Sequence, residues 1–96
     1  MKEIEKLELI ETSWELHGQV EASYLNHKAS RGDDKWLEKQ RFLLADMALH
    51  LLQTSINPGD VNLERLRDNI HAILTISDDF LPKARLKEAT AKLYED

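Results

Sequence analysis

The sequence predicts an all-α protein, a small antiparallel bundle of about four helices, and three observations carry this prediction. Apolar residues recur at helical spacing along nearly the whole chain, and no stretch shows the sustained alternation typical of a strand. The 96 residues include only 3 glycines and 2 prolines, which fall between the periodic segments. A chain with 42% hydrophobic and 32% charged residues is typical of a folded domain, and its length predicts a single helical domain over residues 1–96.

The first helix is expected over residues 2–28. At about 100° per residue, Glu8, Glu11 and Glu15 share one polar arc. The opposite arc is apolar and consists of Leu7, Leu9, Ile10, Trp14, Leu16, Val20, Tyr24 and Leu25. Because this arc is wider than one neighbouring helix can cover, we expect the helix to lie between two others or to contact a second subunit. Trp14 and Trp36 are expected to be largely buried.

The second helix is expected to start at Asp33 or Asp34, either of which could cap it, and to end near Ser55. Its main apolar stripe is formed by Trp36, Leu37, Leu43, Leu44, Met47, Ala48 and Leu51. A helix that is apolar on nearly all sides is buried on nearly all sides, and self-association is the simplest way for a short chain to bury it. We therefore expect a homodimer. Its interface, or that with another protein, is predicted at Phe42, Ala45, Leu49, Leu52 and Trp14.

Two further helices are expected in the last third of the chain. The turn signal Asn57-Pro58-Gly59-Asp60 precedes a third helix over about residues 61–76, which Asp60 or Asn62 could cap. The cluster at residues 77–79 predicts a break before a fourth helix over about residues 80–94, with Phe80, Leu81, Leu86, Ala89 and Leu93 pointing inward. The pattern leaves open whether these two segments are separate helices.

Charge and cysteine content narrow the classes of function. The net charge of −5 gives no overall attraction to nucleic acid, so it favours a protein partner. The absence of cysteine excludes disulfides, thiol catalysis and thiolate metal ligands, and it fits a cytoplasmic protein. No apolar run approaches the roughly 20 residues that cross a bilayer, and the acidic N-terminal segment does not resemble a signal peptide, so no membrane association is expected.

Histidines paired with aspartates are the residues to weigh as metal ligands. Asp46 and His50 are spaced i, i+4, while Asp68 and His71 are spaced i, i+3, so each pair shares a helical face. If the two pairs faced each other they could hold zinc or iron, but both lie on predicted polar faces, and solvated or hydrogen-bonded surface pairs are the favoured interpretation. His17 is expected to be a core or interface histidine, and we predict no metal and no cofactor.

Catalytic patterns are missing from the sequence. No serine lies in a Gly-x-Ser-x-Gly turn, and no glycine-rich phosphate loop is present. The acidic series Glu5, Glu8, Glu11 and Glu15 could hold magnesium only with a second acidic helix, which is not evident, so we interpret it as a solvated face. The sequence therefore predicts no catalytic residue and no enzyme.

The leading hypothesis is a non-enzymatic protein–protein interaction module, a regulator, inhibitor or chaperone that binds another protein through an apolar helical surface. The alternative is a DNA-binding regulator with a helix-turn-helix, because a glycine-containing turn joins the second and third helices. In that alternative Asn62, Arg65 and Arg67, on the helix over residues 62–75, would contact nucleic acid. Against it stand the proline in the turn and the acidic charge of the chain.

Overall fold

The structure, a computed structural model, describes residues 1–95 and confirms the all-α prediction. Over these residues the chain forms four α-helices, which are α1 (Glu3–Asn26), α2 (Trp36–Ile56), α3 (Leu63–Phe80) and α4 (Leu86–Lys92), with a 3-10 turn at Pro82–Ala84 and no strand. Consecutive helices pack against each other, and α1 packs extensively against α2 alone among the described elements. None of the described helices is both long enough and apolar enough to span a membrane.

Local chemistry explains where α2 begins and ends. Asp33 does not cap this helix as expected, because its carboxylate accepts a hydrogen bond of 2.7 Å from the Ser30 N–H and closes the preceding turn, in which Gly32 has a φ of +97°. Helix α2 starts at Trp36 without a side-chain cap. It ends at Ile56 because Asn57 precedes a proline, whose ring disfavours helical geometry at the residue before it.

Helices three and four are separate, but their boundary differs from the prediction. Asn62 caps α3 as expected, with its side-chain oxygen accepting the Arg65 N–H at 3.1 Å. The break expected at residues 77–79 is wrong, because α3 continues to Phe80 and Asp79 accepts a tertiary hydrogen bond from Gln40 at 3.0 Å. The helix ends at Phe80, and the next residue, Leu81, precedes Pro82, so proline sets the boundary and the aspartates do not.

The interior of the molecule is more polar than its sequence pattern predicts. Within residues 1–95 the buried apolar residues are Ala29 and Ile76. The buried polar residues are Ser13, Gln40, Asp46, Gln53, Thr54 and Thr90. The expectation that α2 is buried nearly all round is therefore wrong for the single chain, since Leu37 and Leu52 lie exposed on it. Leu81 and Ala89, predicted to point inward, are exposed as well.

Candidate functional site

A polar seam joins α1 to α2 along their length. The side of α1 that faces α2 follows the three- and four-residue spacing of a helix-packing stripe and comprises Lys6, Ile10, Ser13, His17, Val20 and Tyr24. Gln53 donates a hydrogen bond of 3.1 Å to the buried Ser13 hydroxyl, which in turn donates to the Ile10 carbonyl at 2.6 Å. At the other end, the Lys39 ammonium lies 4.9 Å from the centre of the Tyr24 ring. Ser13 precedes Tyr24 on α1, whereas its partner Gln53 follows Lys39 on α2, so the two helices are antiparallel.

The centre of this seam holds a cluster of two histidines and one aspartate. His17 Nε2 lies 3.1 Å from His50 Nε2 and 3.1 Å from Asp46 Oδ1. Asp46 Oδ2 lies 3.8 Å from His50 Nε2. The Asp46 side chain is only 10% exposed. Its Oδ1 atom accepts no hydrogen bond despite the nearby imidazole. The three side chains thus bring their nitrogen and oxygen atoms to one point; we call them the histidine cluster.

Two neighbouring side chains flank the histidine cluster. Glu21 Oε2 lies 3.4 Å from His17 Nδ1, the ring nitrogen that points away from the cluster. The Trp14 ring contacts both imidazoles, with centroid distances of 5.2 Å to His17 and 5.9 Å to His50. His50 and Trp14 also line a cavity of about 380 Å³, which reaches Arg65 and Asn69 of α3. One edge of the cluster therefore borders a groove that α1, α2 and α3 form together.

The observed contacts of Asp46 and Asp68 differ from the two Asp–His pairs that the sequence predicts. Asp46 is buried, and its Oδ1 lies 3.1 Å from His17 Nε2, so the interpretation of Asp46 and His50 as a surface pair is wrong. Asp68 lies elsewhere and accepts a hydrogen bond of 2.7 Å from the Tyr94 hydroxyl, which raises the pKa of Tyr94 above its ordinary value. Helical spacing alone finds the pair at residues 46 and 50, but it cannot identify a third residue on another helix.

An apolar surface lies on the other side of the same seam. Helical spacing of about 100° per residue places Leu9 and Leu16 on the side of α1 opposite to Trp14. The His27 ring, just after α1, lies 6.5 Å between centroids from the Phe42 ring of α2, so Phe42 lies on this side as well. We call this surface the apolar face. It consists of Leu9, Leu16, Phe42, Ala45, Leu49 and Leu52. Three of its members, Leu9, Leu16 and Leu52, are exposed at 39%, 44% and 37%.

The predicted interface residues divide between the two sides of the seam. Phe42, Ala45, Leu49 and Leu52 lie together on the apolar face, with Phe42 and Leu49 half-buried. Trp14 lies apart from them, against the histidine cluster. The expectation that Trp14 is largely buried is wrong, because 52% of this residue is exposed. The reason is that α1 has a single extensive neighbour, which covers one narrow stripe of it.

The three residues of the nucleic-acid alternative do not form one surface. The Asn62 side chain is occupied in capping α3. Arg65 lines the groove beside Thr54. The Arg67 guanidinium lies 4.9 Å from the centre of the Tyr94 ring, on the side of α3 that meets the end of α4. The hydrogen bonds from Thr54 to Asn69 and from Gln40 to Asp79 place α2 and α3 antiparallel along their length.

Compared with protein-family models, with curated proteins and with solved structures, the chain gives no match. The interpretation of its site therefore depends on the geometry of its own residues.

Proposed function

We propose that this protein is a protein–protein interaction module that acts by binding and not by catalysis, and that its apolar face binds a second copy of the chain. The observation that carries the proposal is the distribution of side chains. The helix seams bury polar residues, while large apolar side chains of α1 and α2 lie on the surface. Removing such side chains from water is the main driving force of most protein association.

The exposed surface is large enough to supply a stable dimer interface. The accessible area of the chain is 7039 Å². A compact monomer of 11.1 kDa exposes about 5,650 Å², so this chain exposes about 1,400 Å² more than expected. A standard interface buries about 800 Å² on each partner. The radius of gyration of 15.1 Å, against about 12.5 Å for a compact chain of this length, agrees with an open shape that a partner completes.

The charges at the ends of the apolar face favour a second copy as its occupant. The contact of His17 with His50 places Leu16 beside Leu49 near the middle of the face. Glu8 borders one end of the face, and Arg41, which is also ion-paired with Glu38 at 3.1 Å, borders the other. Each lies about 12 Å along its helix from that middle. A twofold axis that crosses the middle at right angles to the helices brings Glu8 of one copy to the same end as Arg41 of the other, as a self-complementary interface requires.

Within this proposal the dimer works as a regulator, inhibitor or chaperone of another protein in the cytoplasm. Co-purification of the tagged chain from its native host lysate, with nucleic-acid absorbance recorded, identifies that protein. A stoichiometric protein partner supports the proposed role. A preparation that carries nucleic acid and no second protein contradicts it and favours the DNA-binding alternative.

The direct test replaces two apolar side chains of the face by charges. In Phe42→Asp combined with Leu49→Asp, each dimer must bury four carboxylates in an apolar interface, so dimerisation should weaken at least about 100-fold. Light scattering coupled to size exclusion measures the mass, and circular dichroism checks that the helices are retained. The matched control is Leu7→Asp combined with Leu25→Asp, which places the same charges on the exposed opposite side of α1 and should leave the dimer intact.

A wild-type chain that stays monomeric up to hundreds of micromolar contradicts the proposal. So does a Phe42→Asp, Leu49→Asp double variant that dimerises as tightly as the wild type. If the control pair dissociates the dimer while the Phe42/Leu49 pair does not, the interface lies on the Trp14 side of α1 and the apolar face is not its location.

A further inference from the structure

We infer that the histidine cluster is a binding site for a transition-metal dication of the zinc class, with His17, Asp46 and His50 as its protein ligands. The inference does not depend on the proposed dimer, because the cluster lies in the centre of the α1–α2 seam and shares no residue with the apolar face beside it. It starts from the three converging ligand atoms, His17 Nε2, His50 Nε2 and a carboxylate oxygen of Asp46, which lie within 4.8 Å of one another.

The spacing of these atoms matches what a metal ion requires. Zinc binds imidazole nitrogen and carboxylate oxygen at about 2.0–2.2 Å, so two ligands of a tetrahedral site are roughly 3.3 Å apart. His17 Nε2 is 3.1 Å from each of its two partners. His50 Nε2 is 3.8 Å from Asp46 Oδ2. Small side-chain rotations therefore suffice to place all three ligands around one ion.

Hydrogen bonding within the chain leaves the cluster incomplete. The carboxylate of Glu21, 3.4 Å from His17 Nδ1, favours the proton on that nitrogen and leaves the Nε2 lone pair directed into the cluster. His50 can donate one proton to that lone pair, but the buried Asp46 Oδ1 then still lacks a donor. In that tautomer Asp46 Oδ1 faces an imidazole lone pair at 3.1 Å, and a dication bound between the two atoms would remove this unfavourable contact.

The position of Glu21 is itself typical of a metal site. In a ligating histidine the N–H of the second ring nitrogen almost always donates a hydrogen bond to a carboxylate or a carbonyl. This hydrogen bond fixes the ring orientation and raises the basicity of the nitrogen that binds the metal. Glu21 follows His17 by four residues on α1 and so reaches that second nitrogen from the same helical face. Two imidazoles and one carboxylate suit zinc and its neighbours, whereas calcium and magnesium prefer sites made only of oxygen.

A bound ion would connect two helices and leave one position open. His17 belongs to α1, whereas Asp46 and His50 belong to α2, so the metal would clamp α1 to its one extensive neighbour. Three protein ligands leave a fourth tetrahedral position for water or for another ligand. His50 borders the groove of about 380 Å³, so that position is reachable from solvent.

The test titrates the full chain, freed of any polyhistidine tag and stripped with chelator, with zinc chloride by calorimetry. We expect one zinc ion per chain and a rise in Tm when zinc is added, because the ion binds the folded chain in preference to the unfolded one. Cobalt chloride serves as the spectroscopic probe, and it should give the visible absorption of four- or five-coordinate cobalt. Cobalt should also quench the fluorescence of Trp14, which contacts both imidazoles, and Trp14→Phe should abolish most of that quenching while Trp36 remains.

Variants assign the ligands. His17→Gln, His50→Gln and Asp46→Asn should each weaken zinc binding at least about tenfold, since even residues that only support a ligand contribute that much. His71→Gln, whose ring instead lies 5.5 Å from that of Tyr94, is the matched control and should bind zinc as the wild type does.

Two results would overturn the inference. One is a wild-type chain that takes up neither zinc nor cobalt at 1:1 stoichiometry, an experiment that needs no variant and so cannot fail through misfolding. The other is zinc affinity that is unchanged in all three ligand variants while circular dichroism reports intact helices. Zinc binding retained in the Phe42→Asp, Leu49→Asp monomer separates this inference from the proposed dimer, because each can then fail without the other.

Discussion

The centre of the α1–α2 seam and the apolar face beside it are built from neighbouring residues of the same helices, yet they have opposite chemistry. On one side, Leu16 and Leu49 belong to an apolar face that has no covering element among residues 1–95. In the centre of the seam, His17 and His50, each the next residue along the chain, meet Asp46 in a polar cluster. Since one residue corresponds to about 100° of helix rotation, adjacent positions serve different surfaces.

In α1 and α2, polar side chains lie buried in the helix contacts while large apolar side chains lie exposed. Polar hydrogen bonds in the seam fix the register of α1 on α2, as the pair Ser13 and Gln53 illustrates. Such bonds contribute modestly to stability but are costly to leave unmade, so they specify one arrangement. Large apolar side chains such as Leu16 and Leu52 stay exposed, and the proposed dimer would bury them.

The largest expected effect on stability contrasts two buried polar residues of the seam. Asp46→Ala should raise the free energy of unfolding of the metal-free protein by about 1 kcal/mol, because it removes a buried carboxylate oxygen without a hydrogen bond and introduces the best helix former. Gln53→Ala should lower it by about 1 kcal/mol, because the Gln53 amide is bonded to Ser13. Urea denaturation at pH 8 and equal protein concentration measures both.

This pair of variants separates a site kept for a ligand from an ordinary polar seam. If Asp46→Ala destabilises the metal-free protein as much as Gln53→Ala does, then Asp46 is a structural residue that is satisfied by its histidine neighbours. Addition of zinc should reverse the ranking, since it stabilises the wild type and not the Asp46→Ala variant.

A charge exchange tests the apolar face with a smaller effect. Glu8→Lys and Arg41→Glu should each weaken dimerisation by about threefold, the scale of an exposed ion pair, and the effect should shrink at high salt. The double variant should restore the wild-type dissociation constant, because a twofold axis pairs position 8 of one copy with position 41 of the other. Sedimentation velocity over a concentration series measures all four proteins. Additive losses in the double variant would contradict this symmetry.

The smallest expected effect concerns the hydrogen bond between Tyr94 and Asp68, which lies away from the α1–α2 seam. The hydrogen bond to the Asp68 carboxylate raises the pKa of Tyr94 in the folded state, so its stabilisation is present below the ordinary value of 10.0 and is lost as the pH rises through the folded-state pKa. Asp68→Asn should therefore lower the Tyr94 pKa towards 10.0, as measured by NMR of the tyrosine ring carbons. An unchanged pKa would mean that the hydrogen bond contributes nothing in solution.

The sequence predicts the helices well because their signals are local. The proline turn at Asn57-Pro58-Gly59 and the Asn62 cap both lie where expected, since each acts through neighbouring residues. The false break at residues 77–79 has the same origin: aspartate is a frequent cap, but here Asp79 finds a distant partner, Gln40, that no local pattern includes. Proline at position 82 excludes helical geometry at Leu81, so it overrides the capping signal.

The site is less predictable because it depends on how helices meet. Spacing on α2 places Phe42, Ala45 and Leu49 on one stripe, and the structure keeps them together. Spacing along one helix cannot show that His17 lies opposite Asp46, because that contact depends on how α1 and α2 are aligned. The one available signal was a histidine on the apolar side of α1, a position that requires a polar partner in the folded chain.

Sedimentation equilibrium of the untagged wild-type chain tests the central claim, that the apolar face binds a second copy, most directly. A dimer formed through the apolar face should give a single species of twice the 11.1 kDa chain mass at micromolar concentrations. The Phe42→Asp, Leu49→Asp double variant should instead have the mass of one chain. A wild-type mass that stays at 11.1 kDa up to hundreds of micromolar would contradict it, because the exposed apolar face would then serve no self-association.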